Sequence, residues 1–146
     1  MLVEHVRNVL GFRDADHAET SPDASTLAVT ALSCSLVGQA HEVHLLAGSR
    51  ARSIYGSATS IEDYFCSYGL NPSFAPQLEA SGLHVAAVDG NGQPRLVERR
   101  DHPFFVGALF MPQTRSSQEA PHPLLAAFCR AVEAHRSEPD DRGNRT

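Results

Sequence analysis

Lysine is absent from the 146 residues, as is tryptophan, and the 12 basic residues, all arginines, are set against 17 acidic ones for a formal charge of −5. A chain that holds nucleic acid by neutralising phosphates carries the opposite balance or a basic stripe. Neither is present, so no DNA or RNA partner is expected. Long apolar runs are missing too. The longest, such as residues 104–109, fall far short of the about 20 residues that cross a bilayer, so no membrane association is expected. The first ten residues include Glu4, His5 and Arg7, so neither a secretory signal nor a lipidation motif is expected there. Cysteine is sparse: Cys34, Cys66 and Cys129 are an odd number with no close pair. They argue against a disulfide framework and for a reducing compartment, and the cytoplasm is expected. The glycine-rich stretch Asp89-Gly90-Asn91-Gly92 lacks the lysine and following helix of a phosphate cradle. It reads as a hairpin turn, and no cofactor is expected.

What is present is 42% hydrophobic and 20% charged, enough to bury one core. Leu2, Val3, Val6, Val9 and Leu10 recur at helical spacing before Gly11, which predicts an amphipathic helix with a glycine stop. Residues 13–25 are polar and read as a loop. Residues 26–36 and 42–47 are β-branched or alternately apolar and predict two strands joined by a turn at Gly38. Residues 61–70 predict one further strand. Asn71-Pro72-Ser73 starts a helix that Gly82 ends. Residues 83–88 and 95–98 flank the glycine-rich turn as a hairpin. Residues 104–110 are apolar on both alternating faces, the pattern of a strand covered on each side. A last helix is expected over 121–135, with Leu124, Leu125, Phe128, Ala131 and Val132 inward. One domain is expected over 1–135, with a disordered tail at 136–146. The class is α/β, yet the chain opens on a helix where a doubly wound sheet opens on a strand-turn-helix unit.

Several stretches occur in an order that matches a known family. They are Val6-Arg7-Asn8-Val9-Leu10-Gly11-Phe12-Arg13-Asp14-Ala15-Asp16, then Tyr55-Gly56, Tyr68 with Asn71-Pro72, and Leu78-Glu79-Ala80-Ser81-Gly82-Leu83. Asp101-His102-Pro103-Phe104-Phe105-Val106-Gly107 comes next, with Ser116 and Pro121-His122-Pro123-Leu124 downstream. From Val6 to about Val132 the chain resembles the glutaminase domain of CTP synthase, a class I glutamine amidotransferase. The resemblance implies an incomplete, flavodoxin-like amidotransferase sheet with flanking helices. It also implies what this chain lacks. The family's cysteine nucleophile turn would precede Met1. Met111-Pro112-Gln113 stands where the family has His-Pro-Glu, and methionine takes no proton while glutamine carries no charge. The family's arginine-rich block, which helps hold the substrate carboxylate, is here Glu62-Asp63-Tyr64-Phe65-Cys66-Ser67-Tyr68-Gly69, without an arginine. Nucleophile, base, orienting carboxylate and clamp fail together, so no glutamine hydrolysis is expected.

These residues support two functional readings. The first is a non-hydrolytic relative that binds a small molecule or a partner protein. The second is a repurposed enzyme with Cys66 as nucleophile or acid/base. On one strand Glu62, Tyr64, Cys66 and Tyr68 would share a face, placing a thiol between two phenols. Met111 and Gln113, at the end of the strand over 104–110, would offer an adaptable wall and a neutral hydrogen-bonding group to a ligand. Cys34 and Cys129 are expected to pack as small apolar groups. His41 and His44, three apart on a strand, face opposite sides and make no metal pair. Strand edges exposed in an incomplete sheet favour pairing, so a homodimer, or a separate subunit that completes the fold, is expected.

Overall fold

A computed structural model describes residues 1–137 of the chain. Helix α1 (Leu2–Asn8) leads into the short strand β1 (Ala15–His17), then β2 (Thr26–Ala31) and β3 (Gln39–Leu45). Helix α2 (Arg50–Tyr55) precedes β4 (Thr59–Tyr64) and β5 (Tyr68–Leu70); a 3-10 turn (Pro72–Phe74) opens α3 (Ala75–Ala80). Strands β6 (Leu83–Val88), β7 (Pro94–Arg99) and β8 (Phe105–Ala108) lead through a second 3-10 turn (Pro112–Arg115) to α4 (Pro123–Ser137). The strands form two sheets. Five are ordered β4-β3-β6-β7-β8, and three are ordered β1-β2-β5. The larger sheet is antiparallel throughout, and the smaller pairs β1 with β2 in parallel and β2 with β5 antiparallel.

The core lies on both faces of the larger sheet. On one face Val43, Leu45, Ala87 and Leu96 pack with Ala51 of α2 and Leu124 of α4. On the other, Leu83 and Val97 pack with Val6 of α1, Leu78 of α3 and Ala28 and Leu70 of the smaller sheet. Leu96 and Val97 are neighbours on β7 and serve opposite cores, as the alternation of a strand requires. Each buried side chain of that size contributes about 1.5–3 kcal/mol.

Several expectations hold and several change. The first helix, the 83–99 hairpin and the helix entered at Asn71 are present, with Gly82 at φ +81° supplying the left-handed stop. Residues 26–36 and 42–47 do not form a hairpin, because β2 and β3 belong to different sheets. The loop expected at 13–25 contains β1. The single strand expected over 61–70 is two strands in two sheets, separated at Phe65, Cys66 and Ser67. The strand covered on both faces is β7, five of whose six residues are buried; β8, expected in that role, is a half-buried edge. The last helix runs two residues further than expected, to Ser137, and residues 138–146 of the anticipated tail lie outside the described residues. Leu124 and Ala127 face inward on it, whereas Phe128 and Val132 are 49% and 41% exposed. Cys34 and Cys129 are exposed rather than packed.

Helix α2 has no counterpart in the sequence pattern, and its start explains why. Ser49 Oγ accepts from the Arg52 N–H at 3.0 Å, the ordinary N-cap bond. The fully buried Glu98 carboxylate on β7 accepts from the N–H groups of Arg50 and Ala51 at 2.8 and 2.9 Å. An acceptor from 48 residues away in sequence thus satisfies donors a six-residue helix cannot. Glu98→Gln is expected to lower stability by about 1.5–3 kcal/mol, the worth of hydrogen bonds to a charged group. Denaturant unfolding checks this, and an unchanged midpoint would remove Glu98 from its capping role.

Candidate functional site

The break between β4 and β5 builds the site. Strand β4 ends on Tyr64, and the chain crosses to the smaller sheet through Phe65, Cys66 and Ser67. Residues 32–38 run beside this crossing: Leu32 N–H donates to Ser67 O at 2.8 Å, Leu36 N–H to Cys66 O at 3.0 Å and Gly38 N–H to Tyr64 O at 3.0 Å. Ser35 and Ser67 hydroxyls meet at 2.9 Å. Gly69 is packed so closely that a Cβ there would lie 2.8 Å from Leu32 Cδ2, so the entry into β5 admits no side chain without a shift.

On one side of the crossing lies a cavity of about 430 Å³, lined by Cys66 and Tyr68 and also by His17 and Glu19. Leu2, Val29, Leu70 and Leu109 supply apolar walls. His17 sits against Tyr68 with ring centroids 5.1 Å apart. Its Nδ1 accepts from the Glu19 N–H at 3.0 Å, which assigns the ring proton to Nε2 by geometry. The Cys66 thiol donates to Leu109 O at 3.8 Å. Burial pushes that thiol up from its ordinary value, and the bond from Tyr68 N–H and the field of Arg95 only partly offset this. A nucleophilic cysteine needs the opposite shift.

The remaining candidates lie elsewhere. Glu62 and Tyr64 are buried on β4, and neither lines the Cys66 cavity. The Glu62 carboxylate accepts from Tyr55 Oη at 2.7 Å, Ser60 Oγ at 2.9 Å and His122 Nε2 at 3.1 Å. His122 is the residue before α4, and its Nδ1 accepts from the Leu124 N–H at 3.2 Å. That bond again puts the proton on Nε2, facing Glu62. Burial first, and then the Glu62 bond, raises the Tyr55 phenol far above its ordinary value and keeps it a donor. Glu62 is thus an organiser of α2, β4 and α4 rather than a ligand contact. Tyr64 lines a separate cleft of about 760 Å³ with Arg95 and His41. Its hydroxyl has no hydrogen-bond partner among the described residues, and burial raises its pKa. Arg95 beside it is 7% exposed and paired with Asp89 at 2.7 Å. Burial raises Asp89, but bonds from the N–H groups of Gln93 and Asn91 and the Arg95 charge carry it below its ordinary value.

Met111 and Gln113 also stand apart from the Cys66 cavity. Met111 N–H donates to Asp63 O at 2.8 Å, Thr114 Oγ1 to Asp63 Oδ2 at 3.0 Å and Arg115 Nε to Asp63 Oδ1 at 2.8 Å. The turn is tied to β4, with Met111 half-buried and Gln113 exposed. The cavity therefore joins Cys66 with Tyr68 and adds His17 and Glu19, which sequence periodicity passes over because they lie in a polar stretch that has none. Among the described residues no group of three metal-ligating side chains occurs, and no helix is long and apolar enough to cross a membrane.

No protein-family model matches the chain. It is 31% identical over 141 residues to the CTP synthase of Cytophaga hutchinsonii, a match that takes in 90% of this chain and 26% of that protein. It is 30% identical over 142 residues to the CTP synthase of Haloquadratum walsbyi, covering 91% of this chain and 25% of the other. For Phenylobacterium zucineum CTP synthase the figures are 32% over 149 residues, 90% and 27%. The chain spans about a quarter of the length of these curated relatives. Among solved structures, the Trypanosoma brucei CTPS glutaminase domain with bound acivicin superposes with a TM-score of 0.82 at 24% identity, over 90% of this chain and 56% of that one. The fold is that of a class I glutamine amidotransferase domain. The relatives within that class are the CTP synthases, through their glutaminase part.

The two phenols on either side of Glu62 differ in a measurable way. Tyr55→Phe is expected to cost about 1.5–3 kcal/mol by removing a bond to a charged acceptor, whereas Tyr64→Phe removes an unpartnered hydroxyl and is expected to be neutral or stabilising. Paired denaturation curves test this. Equal losses would mean that the Glu62 network does not discriminate between them.

Proposed function

We propose that this chain is a CTP synthase glutaminase-like module, with residues 1–135 acting as one domain, that has no glutamine-hydrolysing activity and acts by binding. The small molecule would sit in the cavity beside Cys66 and Tyr68. One observation carries the reading: the cavity gathers a thiol, a phenol and an imidazole, with no lysine or arginine side chain in its lining. At the positions where the resemblance puts base and carboxylate, Met111 and Gln113 have neither a proton acceptor of suitable strength nor a charge. The degenerate site is read as loss of the ancestral reaction with retention of the pocket.

The cytoplasm remains the proposed location, with no nucleic acid or membrane as partner. A homodimer is the proposed assembly. Strand β8 is a sheet edge, and Phe128 and Val132 on α4 leave apolar surface exposed, the surfaces that pair between copies. Size-exclusion chromatography with light scattering reads the assembly, and a stable monomer would overturn that part.

The competing reading makes Cys66 a nucleophile or acid/base, and its place beside His17 and Tyr68 in the cavity favours it. The raised thiol pKa opposes it. Three measurements separate the two. The purified chain is expected to release no ammonia from glutamine. A ligand found by thermal-shift screening is expected to bind Cys66→Ala as well as the parent. At neutral pH iodoacetamide is expected to label the exposed Cys34 and Cys129 before Cys66, because only thiolate reacts. Ammonia release would overturn the binding reading, and loss of turnover in Cys66→Ala with preferential labelling of Cys66 would establish the enzyme.

A further inference from the structure

Tyr64 is 1% exposed, its hydroxyl has no hydrogen-bond partner among the described residues, and it lines the cleft of about 760 Å³. A buried hydroxyl without a bond is unfavourable, and phenylalanine would fill the same space without that cost. The two acids whose fields reach the phenol, Glu62 and Asp89, are engaged elsewhere. Asp89 Oδ1 accepts from the N–H groups of Asn91 and Gln93 at 2.8 and 2.9 Å, and its Oδ2 accepts from Arg95 Nη2 at 2.7 Å. Glu62 is surrounded by Tyr55, Ser60 and His122. Arg95 is buried beside the phenol, and the bond to Asp89 is the one its guanidinium makes among the described residues. Donors thus stand at the floor of this cleft without an acceptor to receive them.

The charges of the lining indicate what kind of acceptor fits. Arg95 and Asp89 neutralise each other at 2.7 Å. Glu42, at the exposed rim, has His44 Nε2 at 3.5 Å, and His41 Nε2 meets Gln39 Oε1 at 2.6 Å. A carboxylate entering here would shed water to meet a guanidinium already paired, and an ammonium group would find Asp89 in the same condition. A neutral oxygen avoids both penalties. The Tyr64 hydroxyl is covered as well as unpaired, which favours a single projecting oxygen over a bulky tetrahedral group.

We propose that this cleft is a second ligand site, which receives the carbonyl oxygen of a neutral amide or lactam on the Tyr64 hydroxyl beside Arg95. The cleft is separate from the cavity beside Cys66, and the assignment stands whether or not that cavity is filled. Tyr64 is the residue that selects the carbonyl, and its unpaired state in the empty cleft is what the ligand relieves.

Calorimetry on the full chain with two matched sets tests the assignment: benzamide, benzoate and benzylamine, and 2-piperidone, pentanoate and piperidine. At least one of the two amides is expected to bind about fivefold or more tightly than the acid and the amine of its set. Its affinity is expected to be the same at low and high salt, as for an uncharged ligand. Cys34 is exposed and lines the same cleft, so that amide is expected to slow its alkylation by iodoacetamide while the exposed Cys129 reacts as before. Tyr64→Phe is expected to melt no lower than the parent and to weaken amide binding about fivefold or more. A purely structural hydroxyl would lower the melting temperature instead. Tyr68→Phe, in the lining of the other cavity, is expected to keep the amide's affinity. If neither amide binds and shields Cys34, if an acid or an amine binds as tightly as its amide, or if Tyr64→Phe binds the amide as the parent does, the assignment falls.

Discussion

The chain must leave the five-stranded sheet after Tyr64 and join the three-stranded sheet at Tyr68, and three residues are all it has for the crossing. Backbone carbonyls at Cys66 and Ser67 would be stranded in such a passage, since neither sheet's ladder reaches them, and Tyr64 stands at the end of the ladder with β3. Residues 32–38 supply the donors, one each from Leu32, Leu36 and Gly38. The same pairing fixes where Cys66 and Tyr68 point, because a crossing held at both ends cannot slip by a residue. A thiol and a phenol thus face one cavity, while Tyr64, two residues before the thiol, faces another cleft.

Two buried carboxylates do comparable work for the helices. Glu98 on β7 receives the first N–H groups of α2, and Glu62 on β4 receives Tyr55 at the end of α2 and His122 at the start of α4. Both ends of α2 are therefore tied through carboxylates on strands of the same sheet. Neither acid is free to serve a ligand, because its oxygens are committed to donors inside the protein. His122 adds directionality: its Nδ1 is committed to the Leu124 N–H, so only Nε2 can hold the proton that faces Glu62.

Much of the fold was legible in the residues, and the failures have physical causes. The 83–99 hairpin was legible because Asp89-Gly90-Asn91-Gly92 encodes the turn locally; Asp89 Oδ1 accepts from the N–H groups of Asn91 and Gln93. The split at residues 65–67 was not, since Glu62, Tyr64, Cys66 and Tyr68 keep an alternating pattern straight through it. Period-two alternation reports which side chains share a face, not which strand pairs with which. The doubly covered strand is hidden in the sequence for a related reason. Residues 104–110 are more apolar than β7, yet β7, with Arg95 and Glu98 among its residues, lies between two cores because its charges are satisfied internally. The site was half legible. Cys66 and Tyr68 stood out by chemistry and do share a cavity, but His17 and Glu19 reach it only through the parallel pairing of β1 with β2, a contact without a local signature.

The residues that hold the fold and those that line the cavity are largely different in this chain, and the division runs along structural lines. The groups that hold the amidotransferase fold together are internal: Glu98 under α2, Glu62 between Tyr55 and His122, and Val97 and Leu96 on opposite faces of β7. Positions 65 and 67 of the crossing are exposed and half-buried, where substitution costs little stability. Asp63, just before them on β4, accepts from Arg115 and Thr114 and so anchors the turn that bears Met111 and Gln113. A scaffold whose stability lies in buried carboxylates and two shared cores leaves its outer residues freer to vary, which is how a fold shared at a TM-score of 0.82 can accompany only 24% sequence identity.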